Sequence, residues 1–258
     1  MTRPIVSMTE LEARLTNIAD ACRRDDDRLG YFAALYQVMS TYVREGIARG
    51  RFDDGPRMER LACLFAGRYL AALERHRAGE ATPQSWGVAF AAAPRWRPVI
   101  LQHLLLGMNA HINVDLGIAA AEIADEVPGG LPVLRRDFDE INALLGELQR
   151  EVQRRIGTVS PWMRVLDFVG GRTEERVINF SMEKARDAAW RVAETYAPLD
   201  APGRAREADG LDGRIAHFAR VVEHPGRKIT LALLPARLRE DQNVAHVISA
   251  LQGPRASG

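Results

Sequence analysis

The sequence predicts an all-α fold, a single domain of nine or ten helices around a buried central helix. Apolar residues recur at helical spacing along most of the chain, while the alternating apolar and polar runs typical of strands are almost absent. No Lys or Arg lies between Arg97 and Arg135, although these two types make up 35 of the 258 residues. Ionised side chains are rarely buried without a partner, so this stretch is predicted to be enclosed by other helices.

Signals for helix starts and ends place three helices early in the chain. The first lies within residues 1–27, where Ser7 and Glu10 have the spacing of a capping box. The second, YFAALYQVMSTYVREGIARG, ends at Gly50, and the third begins at Pro56, because proline suits the first turn of a helix. The apolar residues that share one face of the third helix are Leu61, Phe65, Tyr69 and Ala72.

The middle of the chain is predicted to form a helical hairpin. A short helix, PQSWGVAFAAA, precedes the central helix, which spans about residues 98–125. The turn EVPGG joins the central helix to a long amphipathic helix, LPVLRRDFDEINALLGELQREVQRRIG. Such a turn would fold the long helix back antiparallel beside the central helix.

The C-terminal part is predicted to continue the same domain. SPWMRVLDFVGG predicts a short helix and turn, and EERVINFSMEKARDAAWRVAETYAPL predicts a longer helix. Residues 200–210 are predicted to form a loop, because they are polar and contain Pro and two Gly. Residues 211–258 are too few for a second core, so their helices should pack on the main body of one domain, 1–258.

Composition narrows the classes of partner. The 35 basic residues balance 34 acidic ones, so the chain is not built to bind nucleic acid. The central helix is long enough to span a bilayer, but polar residues such as Asn109 and Glu122 argue against a membrane span. The N-terminal residues lack the apolar stretch of a signal peptide, so we expect a cytoplasmic protein. A small-molecule ligand or substrate is the expected partner, and the oligomeric state stays open.

The central helix carries an unusual pair of polar residues in its apolar setting. His111 and Asp115 lie one turn apart on one face of a helix. An imidazole and a carboxylate at this spacing can bind one divalent metal ion such as zinc, iron or manganese, or the carboxylate can orient the imidazole as a general base. A buried structural pair is the competing interpretation. Glu122 lies about 16 Å from His111 along the axis, so the two cannot share one ion.

Two asparagines mark the opposite side of the same helix. Asn109 and Asn113 are also one turn apart. They could bind backbone groups of neighbouring helices and organise the fold, or they could contact a ligand in a polar cavity. His103 lies two turns before His111 and flanks its face, which makes it a further ligand-binding candidate.

Further site residues must come from other helices. Asp137 is the candidate third metal ligand, because the predicted hairpin brings its helix beside the central helix. Arg68 lies in the middle of the apolar pattern of the third helix, and Arg186 and Trp190 lie together in ARDAAW. A buried arginine needs an acid, and Asp115 or Asp137 is available. We therefore expect these three residues at the ligand-binding site.

Common catalytic motifs are absent. The sequence contains no G-x-S-x-G, no P-loop, no H-E-x-x-H and no G-x-G-x-x-G, which disfavours the commonest hydrolases, NTPases, zinc proteases and dinucleotide-binding proteins. Cys22 and Cys63 lack C-x-x-C spacing and fit a helical core, so redox chemistry is not expected.

The segments GMNAHINVDL, FDDGPRMERLACLFAGRYLAAL, DFDEIN and ARDAAW resemble a family of bacterial proteins of unknown function, marked by an N-A-H-I-N-x-D-L core. The similarity covers roughly residues 28–250 and implies a helical domain centred on Asn109, His111, Asn113 and Asp115. It implies no activity. A looser similarity is to helical zinc-dependent phospholipases C and single-strand nucleases, whose sites also use His-x-x-x-Asp on a buried helix. Only His111 and Asp115 correspond to their zinc ligands, and the sequence lacks the second His-x-x-x-Glu/Asp pair of those sites.

Two classes of function follow from these residues. The first is a small-molecule enzyme with a cavity beside His111 and Asp115, performing metal-dependent hydrolysis or, without metal, an isomerisation or cyclisation in a biosynthetic pathway. The second is a non-catalytic helical ligand-binding or interaction protein with a structural polar core. A sealed core with every polar group paired would favour the second, whereas a cavity of about 300 Å³ or more at His111 would favour the first.

Overall fold

The computed structural model describes residues 3–160 and 182–253, and these residues form an all-helical protein. The predicted segment SPWMRVLDFVGG and the first part of EERVINFSMEKARDAAW lie largely outside the described residues. Within the described parts there are eleven α-helices, close to the predicted nine or ten. They are α1 (Met8–Arg24), α2 (Gly30–Ala48), α3 (Gly55–Arg77), α4 (Gln84–Ala92), α5 (Ile100–Ala110), α6 (Gly117–Ala124), α7 (Arg135–Val159), α8 (Met182–Tyr196), α9 (Ala201–Glu223), α10 (Arg227–Arg239) and α11 (Val244–Gln252).

The central helix, Ile100–Ala124, consists of α5, a π-helix (His111–Leu116) and α6. In length and composition it is the only helix of the described parts that could cross a membrane. However, 83% of its most apolar 18-residue stretch is buried inside the protein. It packs against helices of both halves of the chain, including α2, α3, α8 and α9. It is therefore the core helix of the fold.

Two glycines let neighbouring helices approach the central helix closely. A Cβ at Gly107 would lie 2.6 Å from the Phe32 ring of α2. A Cβ at Gly117 would lie 2.6 Å from the backbone oxygen of Ala189 in α8. Because real Cβ atoms are not found that close to other atoms, these glycines set the spacing between the central helix and both neighbours.

The predicted loop at residues 200–210 is wrong, because these residues begin helix α9. Asp200 is the N-cap, and its side chain accepts a hydrogen bond from a backbone N–H in the first turn. Pro202 lies in that first turn, where proline needs no backbone donor. The Pro and Gly signals therefore mark the start of a helix and not a linker.

The long helix α7 does not follow the central helix as the predicted hairpin requires. Gly129 and Gly130 both have positive φ, and a short 3-10 helix, Leu131–Leu134, follows them and redirects the chain. α7 packs mainly on α2 and α11. Near its start, Phe138 still reaches the core cluster formed with the central helix.

Candidate active site

His111 begins the π-helix at the middle of the central helix. Such segments are rare and occur often at functional sites, because they change the direction of side chains within a continuous helix. His111 and Asp115 are both buried, and His111 Nδ1 lies 3.1 Å from Asp115 Oδ2. A carboxylate only accepts, so this hydrogen bond places the imidazole proton on Nδ1 and leaves Nε2 with its lone pair. The predicted pair is therefore brought together.

Asp115 is held by two further side chains. Trp86 Nε1 donates a hydrogen bond of 2.9 Å to Oδ2, the oxygen that also faces His111. Arg68 Nε lies 3.4 Å from Oδ1, and Arg68 Nη1 lies 3.2 Å from Glu122. Arg68 is thus paired with Asp115, one of the two acids considered for it. The result is a chain of contacts from Glu122 through Arg68 and Asp115 to His111.

Aromatic rings enclose the imidazole of His111. Phe65 stacks on it with ring centroids 3.6 Å apart and planes 8° apart, and Tyr36 meets it edge-on at 4.7 Å. Other rings, at centroid distances of 5.7 to 6.1 Å, are those of Phe32, Tyr69 and Trp86. An apolar enclosure of this kind favours the neutral imidazole over the charged imidazolium.

Burial sets the protonation of two groups in this enclosure. It lowers the pKa of His111, and the nearby Arg68 adds to this effect, while the hydrogen bond and charge of Asp115 act against it. Burial also holds the pKa of Tyr36 well above its usual value, with a further contribution from Asp115. At neutral pH the site therefore contains a neutral imidazole and a protonated phenol.

A cavity of about 80 Å³ lies beside His111, and we call it the His111 cavity. Its wall is mostly apolar and includes Met8, Phe32, Tyr36, Met39, Phe65 and Met108. Besides the phenol of Tyr36, the polar groups at the wall belong to Ser40, His111 and Arg186. Ser40 Oγ and His111 Nε2 are buried and have no hydrogen-bond partner among the described residues. Buried polar atoms in native proteins almost always have a partner, so these two atoms suggest that a ligand or water completes the site.

The size of the cavity falls between the two outcomes set out from the sequence. It is smaller than the roughly 300 Å³ typical of a ligand pocket. It can hold several atoms, because a single water needs only about 10–15 Å³ of this kind of space. Three of its wall residues are methionines, whose flexible side chains can move to admit a larger molecule. The core is thus neither sealed nor widely open.

Arg186 is the cation at the cavity wall. Its side chain is 5% exposed, and burial lowers its pKa to about 10. It therefore stays charged at neutral pH. The sequence singled it out as a candidate binding residue in ARDAAW, and it lies with His111 at the wall of one cavity.

The two asparagines serve the packing of helices. Asn113 Nδ2 donates to Asn109 Oδ1 at 3.0 Å, and Asn109 Nδ2 donates to the carbonyl of Ile215 in α9 at 3.3 Å. Neither lines the His111 cavity. Of the two interpretations of this stripe, the contacts match the one in which buried amides bind the backbone of a neighbouring helix.

Two other candidates lie away from the cavity wall. His103 is buried against Tyr31, with ring centroids 5.8 Å apart. Trp190 donates to Glu194 at 2.7 Å and packs on Phe138. The structure thus does not bring His103 or Trp190 to the His111 cavity, although both are buried.

Asp137 has a separate set of partners. One oxygen accepts from the backbone N–H of Asp53 at 2.7 Å, and the other lies 2.6 Å from Arg57 Nη2. Asp137 therefore fixes the chain that leads into α3. No contact joins it to His111 or Asp115, because α7 does not run beside the central helix.

The residues around His111 do not fit a divalent metal ion. Nδ1 is occupied by Asp115, and the Asp115 oxygens are shared with Trp86 and with the cationic Arg68, which repels a second cation. Among residues 3–160 and 182–253 no group of three His, Cys, Asp or Glu side chains is arranged to hold a metal. Metal ligation by His111, Asp115 and Asp137 together thus has no geometric support.

Sequence reasoning missed several residues of the site. Ser40 and Tyr36 lie within an apolar helix and carry no motif, and Trp86 lies in a separate helix, 29 positions before Asp115. Phe65 and Tyr69 were predicted to share one apolar face of the third helix, and that face meets His111. Their aromatic character was the available signal for a ring enclosure.

Comparison with known proteins agrees with the similarity noted in the sequence. Residues 8–225 match the model of a family described as a family of unknown function, DUF5995. Neither curated proteins nor solved structures give a match to the chain. Because the family model covers most of the chain, including every helix that contributes to the His111 cavity, the protein belongs to this family of unknown function.

Proposed function

We propose that the protein is a metal-independent enzyme that transfers a proton on a small, largely apolar molecule, as in an isomerisation or cyclisation. The observation that carries this proposal is the buried His111, whose Nε2 has no partner among the described residues and whose ring lines a cavity. His111 is the general base, and Asp115 is the residue that positions it. Trp86 and Arg68 hold Asp115 in turn.

The lowered pKa of His111 suits a base that must be unprotonated before it acts. Asp115 fixes the tautomer, so the lone pair is on Nε2, and it stabilises the imidazolium that forms when the proton is taken. The stacked Phe65 fixes the plane of the ring. This arrangement prepares one nitrogen for one direction of proton transfer.

The cavity wall favours a particular kind of substrate. Aliphatic and aromatic side chains form most of it, which favours a hydrocarbon body. Arg186 supplies a positive charge that can stabilise a carboxylate, or the oxygen of a carbonyl as it becomes an enolate. We therefore propose a carbonyl compound or carboxylic acid with a proton on the carbon next to the carbonyl.

Solvent deuterium exchange tests this activity without knowledge of the natural substrate. The protein is incubated in D2O with a panel of short-chain ketones, enones and oxo acids, and deuterium at the carbon next to the carbonyl is measured by mass spectrometry. Wild type should promote exchange, and His111→Gln should lose it by about 10²–10⁴-fold. His103→Gln is the matched control, because His103 is also buried, and its Nε2 also has no partner in the described parts of the chain, but it does not line the cavity.

A second candidate function is non-catalytic binding of a small apolar molecule, which the small size and apolar wall of the cavity favour. Under this function the panel compounds raise the melting temperature of wild type, but none exchanges its proton. Exchange that is equal in wild type and His111→Gln would also reject the enzymatic proposal. Circular dichroism of both variants confirms that they are folded.

A further inference from the structure

A second, larger cavity lies on another part of the surface. Its volume is about 510 Å³, and it is formed by the segment before the central helix, the end of α9 and helix α10. We call it the Trp96 cavity, and its wall includes Arg95, Trp96, Arg97, His224, Leu233 and Leu234. None of these residues belongs to the His111 cavity. Glu223 also lines this cavity and pairs with Arg95. The remaining cation Arg97, together with the tryptophan and the leucines, fits a ligand that has both an anionic and an apolar part.

Helix α10, beside this cavity, exposes its apolar residues. Of its residues only Ala236 and Arg237 are buried. Leu231 is 68% exposed and Leu238 is 64% exposed, and with Leu234 they share one side of the helix at spacings of three, four and seven residues. These three residues are among the seven large hydrophobic side chains that are exposed in the described parts of the chain.

Trp96 extends this apolar surface beyond the helix. It is 48% exposed, and its backbone oxygen accepts a hydrogen bond of 2.6 Å from Arg237 Nε. The Arg237 guanidinium also lies 5.5 Å from the centre of the Trp96 ring. Trp96 is therefore fixed beside α10, and both Trp96 and Leu234 line the same cavity. Tryptophan is enriched where proteins meet the interface of a bilayer.

The charged groups around this surface are mostly positive. Arg97, Arg227 and Lys228 form no ion pair with any residue in the described parts of the chain. The neighbouring acids are already engaged: Glu223 is buried and lies 2.5 Å from Arg95, and the buried Glu240 accepts from the backbone N–H of Ile100. The surface thus presents unpaired cations around exposed leucines.

We propose that helix α10 and Trp96 form a docking surface for an anionic phospholipid bilayer, with a lipid phosphate bound by Arg97 at the wall of the Trp96 cavity. Leu231, Leu234 and Leu238 enter the boundary of the acyl chains. An anionic bilayer is favoured over an uncharged one, because the unpaired cations complement the charge of the lipid headgroups. Such binding lies along the surface and needs no membrane span.

Vesicle co-sedimentation tests this surface. The full chain is mixed with vesicles of phosphatidylcholine alone or of phosphatidylcholine with phosphatidylglycerol. We expect binding to the anionic vesicles that falls with added salt and weak binding to the neutral ones. The double variant L231Q/L238Q should bind the anionic vesicles at least about tenfold more weakly than wild type does. Arg97→Gln should reduce binding about fivefold.

Matched controls distinguish binding through this surface from nonspecific binding to vesicles. Val6→Gln removes an exposed apolar side chain elsewhere, and Arg24→Gln removes an exposed cation elsewhere. Both should bind as wild type does, and circular dichroism checks that every variant is folded. Equal losses in the controls and in L231Q/L238Q would overturn the proposal.

Three other results would overturn it as well. The first is no binding to anionic vesicles. The second is binding of inorganic phosphate, measured by calorimetry and lost in Arg97→Gln, without vesicle binding, which would indicate a soluble anion. The third is self-association that L231Q/L238Q abolishes in the absence of vesicle binding, which would indicate that a second copy of the chain covers the leucines.

Discussion

Asp115 Oδ2 lies 3.1 Å from His111 Nδ1 and accepts a hydrogen bond from Trp86 Nε1 at 2.9 Å, so one carboxylate oxygen joins the central helix to α4. The oxygen has two lone-pair directions and both are used. The orientation of the imidazole therefore depends on a side chain from a separate helix. Removal of the Trp86 N–H should therefore change the pKa of His111.

Trp86→Phe removes the indole donor and keeps an aromatic ring. We expect a loss of about 1–3 kcal/mol in the free energy of unfolding, because a hydrogen bond to a buried carboxylate is lost. The pKa of His111 should rise, since Asp115 becomes a less compensated negative charge beside it. Urea unfolding and NMR titration of His111 measure the two effects.

Trp190→Phe is the control for this prediction. Trp190 Nε1 also donates to a carboxylate, that of Glu194 at 2.7 Å, but lies outside the His111 enclosure. It should lose stability without any change in the titration of His111. A similar titration shift in both variants would show that Trp86 has no specific role at Asp115.

Gly117→Ala should destabilise the protein because of the close approach of α8. The added Cβ would lie 2.6 Å from the backbone oxygen of Ala189 and 2.7 Å from Val192, so the two helices must move apart. A cost of about 1–3 kcal/mol is expected from overpacking. Gly146→Ala, on the open side of α7, has no atom within 4 Å of the new Cβ and should gain up to about 1 kcal/mol. Chemical unfolding of both variants tests the contrast, and a neutral Gly117→Ala would contradict it.

Stability should fall with acid partly because of His103. Burial, with smaller contributions from Arg28 and Arg237, lowers its pKa from 6.5 to about 3. The unfolded chain binds a proton below pH 6.5 that the folded chain excludes, so the contribution is complete above pH 6.5 and is lost as the pH falls towards 3. His111 acts in the same direction.

His103→Gln isolates this contribution. Between pH 7 and pH 5, wild type should lose about 2 kcal/mol more free energy of unfolding than the variant does. Urea unfolding at the two pH values provides the measurement. An identical pH dependence in wild type and the variant would mean that His103 is protonated in the folded protein.

The all-helical fold and the enclosure of the central helix could be predicted because they depend on composition and periodicity. The absence of Lys and Arg around His111 correctly predicted a core helix. The spacing of His111 and Asp115 correctly predicted that their side chains contact each other. These features are local in the sequence. Hydrophobic burial and helix geometry alone determine them.

The errors come from features that depend on tertiary contacts. The turn after α6 contains two glycines with positive φ, and their dihedral angles decide where α7 goes and hence where Asp137 lies. Asp200 followed by Pro202 can begin a helix or a loop, and only packing decides between them. Ser40 and Trp86 could not be assigned to the site, because no local pattern brings them to the central helix.

The most direct test of the account is the tautomer of His111, measured by NMR of the 15N-labelled imidazole at neutral pH and assigned by comparison with His111→Gln. We predict a neutral ring with its proton on Nδ1, donated to Asp115, and an unprotonated Nε2 at the cavity. A proton on Nε2, or a doubly protonated ring at neutral pH, would contradict the role of His111 as a base.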